Sequence, residues 1–386
     1  MSRYLVGGSV EDGWGAVADT FSANFERFED VGAACAVYHH GRAVVDLWGG
    51  IADVETGRPW QADTIACMNS ATKGATTLCA LLLAQRGTLD LDAPIAAVWP
   101  EFAAGGKKTI TMRMVLSHRA GLARIDGLAP DEASNRDRAL AAIAAQTPNW
   151  EPGTAQGYHL TSMGWITGEV VRRVSGQTLG QFFAQEIAAP LGLDLWIGLP
   201  EQQETRYAPF VEFDPEQRAL LKTAMTGDTL AAQVLGSSRI YELDLRANSQ
   251  TFHQLELPFA NGIGTARALA RMYAATHHSL DGHRLLTDNT IADALIARSV
   301  PGEHDLIVGG ERRYGTGFLV TPSLWANTGP RAYGHDGAGG ALGMADPDPD
   351  AGLGFAYLSN RMIFIGQPYQ RSGRLLDAAY RCVQHN

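Results

Sequence analysis

The stretch Met68-Asn69-Ser70-Ala71-Thr72-Lys73-Gly74 is the most informative part of this sequence. Residues three apart lie on one face of a helix, so the Lys73 amine can lie beside the Ser70 hydroxyl and either take its proton or hold its charge. The chain has four lysines and sixteen serines among 386 residues, so the number of Ser-x-x-Lys pairs expected by chance is roughly one sixth. The spacing alone therefore does not exclude the alternative that a surface helix carries both residues by accident.

The residues that follow Lys73 favour a functional interpretation. Apolar side chains continue in one helical stretch that ends at Gly87. This pattern is typical of a buried central helix whose first turn presents Ser70. The sequence therefore predicts that Ser70 is a nucleophile that needs no histidine.

Composition and charge limit the classes of function. The formal net charge is −10, and 45% of the residues are hydrophobic, as in an ordinary globular protein. Nucleic-acid binding needs a concentrated basic surface, whereas the longest basic runs here are pairs such as Lys107-Lys108. We expect neither a nucleic acid nor a membrane as a partner. The four cysteines and the histidine pairs lack metal-ligand spacing, so we predict reduced cysteines, no metal and no cofactor.

The sequence contains no apolar stretch of the kind that directs a chain to a membrane. The N-terminal residues reach Glu11 and Asp12 without a signal-peptide core, and no segment approaches transmembrane length. These features predict a cytoplasmic protein.

Hydrophobic patterns predict strands near both ends of the chain and helices between them. Residues 33–49 have the pattern of a hairpin with its turn at His40-Gly41-Arg42, and strand-like runs return at 317–320 and 353–358. The predicted helices span 112–117, 132–146, 161–174, 178–188, 266–276 and 369–383. We therefore expect an α/β lobe from residues 1–87 and 280–386, with a mainly helical lobe of residues 88–279 inserted between them. Ser70 would lie in the cleft between the lobes.

Two further segments complete a pattern with the first. Trp150-Glu151-Pro152-Gly153 leads into Tyr158-His159-Leu160, and Tyr333-Gly334-His335-Asp336-Gly337-Ala338 follows near the C-terminal strands. With Ser70 and Lys73, they resemble the serine β-lactamase and penicillin-binding protein superfamily, most closely its class C branch and the family VIII carboxylesterases. The resemblance spans roughly residues 15–380. It implies a β-lactamase-like fold, in which an antiparallel sheet built from both termini is flanked by helices and carries an inserted helical lobe.

The resemblance also implies a role for each matching residue. Ser70 would be the acylated nucleophile, Lys73 its proton partner, and Tyr158 the catalytic tyrosine of the family. The backbone N–H groups of Ser70 and Ala338 would form the oxyanion hole. His335 and Gly337 would bind substrate.

Two departures from the lactamase pattern bear on the substrate. The chain has Tyr158-His159-Leu160 where lactamases have Tyr-x-Asn, and His335-Asp336-Gly337 where they have Lys-Thr-Gly. The amide that could bind a β-lactam is thus replaced by Leu160. The permanent cation that could bind it is replaced by the imidazole of His335, which is largely neutral at pH 7. Because the esterases of the family commonly carry such a histidine, the departures favour neutral esters.

The remaining candidates receive modest roles. A Ser-His-Asp triad through His335 is disfavoured, because the nucleophile elbow Gly-x-Ser-x-Gly is absent from the sequence. His335 is expected instead to line the cleft or orient substrate. His118 and His159 are predicted to make local structural hydrogen bonds, and Asp336 could be only a turn residue.

The sequence as a whole predicts a serine carboxylesterase that hydrolyses short-chain esters of small molecules through an acyl-enzyme on Ser70. Acyl transfer to an alcohol or amine, and weak β-lactamase or D-amino-acid peptidase activity, are alternatives at the same site. A non-catalytic, penicillin-binding-like sensor is an alternative outside catalysis. Acyl chain length, natural substrate and oligomeric state do not follow from the sequence.

Overall fold

The computed structural model describes residues 5–128, 132, 134–211, 213–238, 247–321, 327–363 and 368–385. Within these residues, one large antiparallel sheet and a smaller one carry the architecture. The strands are β1 (Val6–Val10), β2 (Gly32–His39), β3 (Arg42–Asp53), β4 (Arg58–Pro59), β5 (Ala66–Cys67), β6 (Leu195–Ile197), β7 (Gly262–Gly264), β8 (Leu319–Val320), β9 (Tyr333–Asp336), β10 (Leu342–Asp346) and β11 (Leu353–Ser359).

The large sheet joins the two ends of the chain. Its strand order is β1-β3-β2-β11-β10-β9-β8, and β4 pairs with β3. Phe355 of β11 lies opposite Val37 of β2 on one side and Met344 of β10 on the other. The prediction of one sheet built from both termini is therefore confirmed. The smaller sheet has the order β5-β7-β6 and lies beside the entry to the central helix.

The helices occupy mainly the middle of the chain. They are α1 (Gly15–Arg27), α2 (Thr72–Gln85), α3 (Met112–Leu116), α4 (Arg136–Ala145), α5 (Ser162–Ser175), α6 (Leu179–Phe183), α7 (Ala189–Leu191), α8 (Pro215–Ala224), α9 (Leu230–Ser238), α10 (Gln250–Gln254), α11 (Ala266–Ala274), α12 (Asp288–Leu295) and α13 (Pro368–Val383). A π-helical turn joins α6 to α7. Among the described residues, no helix is long and apolar enough to cross a membrane.

Strand periodicity divides the core into two layers. On β11, Phe355 and Tyr357 join the cluster formed with α1 and α13, whereas Ala356 and Leu358 join the cluster that contains α2 and α11. Successive side chains of a strand point to opposite faces, so this alternation buries both faces of the sheet. All four cysteines are buried, and none forms a disulfide.

Glycine allows α11 to approach the sheet closely. A Cβ added at Gly354 would lie 2.7 Å from the carbonyl oxygen of Ala270, which is closer than real contacts allow. Helix α11 thus packs directly on β11, although the predicted boundary at residue 280 assigns it to the helical lobe. The exact division into lobes stays a prediction.

Several elements differ from the sequence-based expectation. The helix expected from residue 132 begins at Arg136, because the side chain of Asn135 accepts a hydrogen bond from the N–H of Arg138 and caps it. The strand expected from residue 317 begins at Leu319, since Gly317 has a φ of +83°. Strands β1, β9 and β10 and helix α1 were not predicted. Glycine and charged residues interrupt the apolar alternation of these strands.

Candidate active site

Ser70 lies in a 3-10 turn, Asn69–Ala71, that leads directly into α2. Asn69 has a φ of +49°, and its side-chain amide donates to the carbonyl oxygen of Ala338 at 2.8 Å. The Thr72 hydroxyl donates to the Asn69 carbonyl at 2.6 Å and accepts from the N–H of Gly262 at 2.8 Å. These contacts fix the turn between the two sheets and hold Ser70 at the start of the helix, as the sequence predicted.

Lys73 is fully buried beneath Ser70. Its Nζ lies 3.2 Å from Ser70 Oγ and 3.0 Å from the carbonyl oxygen of Phe259, to which it donates. Burial lowers the pKa of the Lys73 amine from 10.5 to about 7, while the Asp336 carboxylate acts in the opposite direction. Near neutral pH, a large fraction of Lys73 is therefore uncharged and able to accept the Ser70 proton.

This pKa predicts the pH dependence of turnover. Only the neutral amine can act as a base, so kcat/KM for an ester is expected to rise with pH through about 7. Asp336→Asn removes an anion that favours the protonated form of Lys73. In this variant, the rise of kcat/KM with pH is therefore expected at a lower pH than in the unmodified enzyme. Exposed Asp350→Asn is the control, and its profile should superimpose on the unmodified one. An acid limb that stays or moves upward in Asp336→Asn contradicts this assignment.

Tyr158 lies next to Lys73, whose Nζ is 4.9 Å from the centre of the phenol ring. The backbone N–H of Tyr158 donates to Oδ1 of Asp305 at 3.1 Å. The same oxygen accepts from the N–H groups of Ile307 and Val308, and Oδ2 accepts from the hydroxyl of Tyr314. Asp305 therefore fixes the position of Tyr158 relative to the residues that follow Asp305. No local motif marks Asp305 in the sequence, so sequence reasoning missed it.

The histidines near Tyr158 make the local hydrogen bonds that the sequence predicted. His118 Nδ1 accepts from the N–H of His159 at 3.0 Å. His159 Nε2 accepts from the N–H of Leu122 at 3.0 Å, and its Nδ1 donates to the Gly157 carbonyl. Burial lowers the pKa of His159 to about 4 and that of His118 well below its usual value. Both rings are neutral at pH 7 and support the loop that carries Tyr158.

The segment predicted to complete the oxyanion hole packs against the turn that carries Ser70. A Cβ added at Gly337 would lie 2.3 Å from the Met68 carbonyl oxygen, so only glycine permits this approach. Ala338 follows at the start of a short 3-10 turn, Ala338–Gly340. Arg371 of α13 donates to the carbonyl of Gly339 and so anchors this turn to the C-terminal helix.

His335 is buried away from the cavity that the two residues after it line. It is in β9, its side chain is 2% exposed, and Nδ1 donates to the Asp336 carbonyl at 2.6 Å. Burial lowers the pKa of His335 to about 4, so the ring is neutral at pH 7. His335 is not among the residues that line the cavity beside Ser70, whereas Asp336 and Gly337 are. Contact between His335 and substrate thus stays a prediction. Asp336 ends a strand and is more than the turn residue suggested by the sequence.

The cavity beside Ser70 measures about 360 Å³. Tyr158, Gly337 and Ala338 line the cavity together with Ser70, and its wall also includes apolar side chains, among them Leu160 and Ile307. Arg312 also lines the cavity and places a cation there that sequence reasoning missed. The cavity leaves space for a small molecule beside Ser70.

Known proteins are similar to this chain along most of its length. The beta-lactamase family model matches residues 21–379. Esterase/beta-lactamase LipL of Mycobacterium tuberculosis is 34% identical over 366 residues, which are 92% of this chain and 83% of LipL. The crystal structure of a family VIII carboxylesterase is 35% identical, with a TM-score of 0.87, and the match covers 98% of this chain and 100% of that one. EstA from Arthrobacter nitroguajacolicus Rue61a is 32% identical, with a TM-score of 0.85 and coverage of 97% and 99%.

The fold and the relatives define a serine hydrolase. The chain belongs to the beta-lactamase family, as the match to most of its length shows. Its similar relatives include proteins named as esterases, and the chain is an enzyme of the serine hydrolase class. The interpretation as a non-catalytic sensor is set aside.

Proposed function

We propose that this protein is a carboxylesterase that hydrolyses short-chain esters through an acyl-enzyme on Ser70. The observation that carries this proposal is the buried Lys73 amine, which lies 3.2 Å from Oγ of Ser70, a residue that lines the same cavity as Tyr158. A base within hydrogen-bond distance of the hydroxyl is what nucleophilic catalysis by serine requires.

The first half-reaction follows from these positions. Ser70 Oγ attacks the ester carbonyl while its proton passes to the neutral Lys73 amine, directly or through the Tyr158 oxygen. The N–H groups of Ser70 and Ala338 stabilise the negative oxygen of the tetrahedral intermediate. When that intermediate collapses, the bond to the alcohol breaks and the alcohol oxygen takes the proton that left Ser70. The products are a free alcohol and Ser70 in ester linkage with the acyl group.

The second half-reaction uses the same groups. A water molecule attacks the acyl carbonyl and gives a proton to the Lys73 and Tyr158 pair. The second intermediate collapses, releases the carboxylic acid and returns a proton to Ser70 Oγ. An alcohol in place of this water would give acyl transfer, which stays an alternative because both nucleophiles reach the same carbon.

Cavity size and charge support a small, neutral substrate. A volume of about 360 Å³ is near the lower end of ligand cavities, which span roughly 300–1,000 Å³. The one cation found on the described cavity wall, Arg312, has the Asp336 carboxylate 3.8 Å away, so the pair does not favour a β-lactam carboxylate. The relatives named as esterases support an ester as the substrate.

We expect a clear preference for esters over β-lactams. Loss of one hydrogen bond to a charged group costs about 1.5–3 kcal/mol, or roughly tenfold to a hundredfold. The value of kcat/KM for p-nitrophenyl butyrate should therefore exceed that for nitrocefin by at least about tenfold. As a control, a fluorophosphonate should abolish both activities and give an adduct at Ser70 in peptide mass spectrometry. Equal or faster turnover of nitrocefin, or an adduct at another serine, contradicts the proposal.

A further inference from the structure

Two opposite charges lie side by side on the wall of the catalytic cavity. Arg312 and Asp336 both line the cavity that contains Ser70. The Arg312 side chain is 18% exposed, and that of Asp336 is 8% exposed. Arg312 lies outside the three motifs of the sequence, and neither these motifs nor the hydrolytic mechanism gives the two side chains a role as a pair.

The two side chains do not satisfy each other. Arg312 Nη1 lies 3.8 Å from Asp336 Oδ2, which is beyond hydrogen-bond distance. Among the residues that the structure describes, no donor forms a hydrogen bond with Asp336 Oδ2, although this oxygen is buried. An unsatisfied buried carboxylate oxygen costs free energy, so it calls for a donor from a bound molecule.

We propose that Arg312 and Asp336 form a substrate subsite that binds a hydroxyl group carried by the ester. A hydroxyl donates one hydrogen bond and accepts others, so a single oxygen atom can donate to Asp336 Oδ2 while it accepts from Arg312. The separation of 3.8 Å leaves both groups within reach of one such bridging atom.

Charge distinguishes the hydroxyl from carboxylate and ammonium groups. A carboxylate is attracted by Arg312 and repelled by Asp336, and an ammonium group experiences the reverse. The pair as a whole is neutral, so it gives neither ion a net advantage. A neutral group that both donates and accepts hydrogen bonds satisfies the two side chains together.

This inference rests on the proposed esterase function and refines its substrate class. Its test compares kcat/KM, measured by pH-stat titration of the full chain, for esters with and without a hydroxyl. Ethyl 3-hydroxybutyrate against ethyl butyrate tests the acyl side, and 2-hydroxyethyl butyrate against propyl butyrate tests the alcohol side. We expect a preference of about tenfold for the hydroxylated ester in one of these pairs, the order expected for one hydrogen bond to a charged group.

Variants separate a subsite from a merely structural ion pair. Arg312→Met leaves a lone anion, so turnover of butyrylcholine should rise relative to that of 3,3-dimethylbutyl butyrate, its neutral isostere. Asp336→Asn leaves a lone cation, so turnover of monoethyl succinate should rise relative to that of ethyl pentanoate. Both variants should lose the preference for the hydroxyl. Arg313→Met is the matched control, because Arg313 is not among the residues that line this cavity, and its ratios should equal those of the unmodified enzyme.

The outcomes distinguish the two proposals. Turnover of all esters with hydroxyl ratios near one would overturn the subsite alone, and would indicate that water bridges the pair. A variant in which butyrylcholine and monoethyl succinate both gain, or both lose, turnover relative to their neutral isosteres would overturn it as well, since a loss of structure has no charge preference. Absence of turnover for every ester would overturn the esterase function together with the subsite.

Discussion

Replacing Lys73 by alanine or Tyr158 by phenylalanine is expected to lower kcat/KM by at least about 10³-fold. The Lys73 amine lies 3.2 Å from Ser70 Oγ and 4.9 Å from the centre of the Tyr158 ring, so we expect the three side chains to act as one proton-transfer unit. Residues that act as a unit are not additive: once one is lost, the others no longer contribute. The double variant should therefore be scarcely slower than either single variant.

Steady-state kinetics with p-nitrophenyl butyrate test this expectation. Exposed Lys108→Ala is the control for the loss of a lysine, and it should retain full kcat/KM. Lys73→Arg should be as inactive as Lys73→Ala, because a guanidinium stays protonated and cannot accept a proton. General acid–base catalysis contributes about 10²-fold to 10⁴-fold. Losses below about tenfold in both single variants would exclude the proposed mechanism.

Replacing Arg371 by methionine is expected to destabilise the protein by about 3–5 kcal/mol. Arg371 and Asp30 form an ion pair whose side chains are both 0% exposed. Removing one partner leaves the other charge buried and uncompensated. The hydroxyl of Tyr357 also donates to Asp30 at 2.7 Å, so the loss extends to strand β11.

Urea denaturation measures this change as a difference in the free energy of unfolding. A double variant, Asp30→Leu with Arg371→Met, should recover most of the loss, because an apolar pair carries no desolvation penalty. Arg381→Met, on the exposed face of the same helix, should leave the free energy of unfolding unchanged. Equal stability of Arg371→Met and the unmodified protein would show that the pair contributes nothing net.

The sequence was sufficient for the central helix because its information is local. Ser70 and Lys73 are three residues apart, and the apolar run after them defines the buried helix. Helix caps were also predictable from the sequence. The side chains of Thr111 and Thr265 accept hydrogen bonds from the backbone N–H groups of Met114 and Ala268, as their positions before the two helices predicted.

Contacts between distant segments could not be derived in this way. Asp305 holds the backbone of Tyr158 across 147 residues, and no periodicity records such a contact. The side-by-side position of Arg312 and Asp336 likewise depends on where two separate segments meet. The burial of His335 follows from the position of β9 inside the sheet, and glycine and charged residues in that strand obscured its pattern.

The contact between Arg371 and the Gly339 carbonyl bears on how the enzyme is made. Arg371 also pairs with Asp30, and that pair closes a loop of 341 residues. During synthesis, Ser70 and Lys73 leave the ribosome long before residues 368–385 can dock, so α2 can form while the Ala338–Gly340 turn still lacks its support. The nascent chain should therefore be inert toward esters until its last described helix packs. Appearance of esterase activity then reports completed folding rather than the mere presence of the nucleophile.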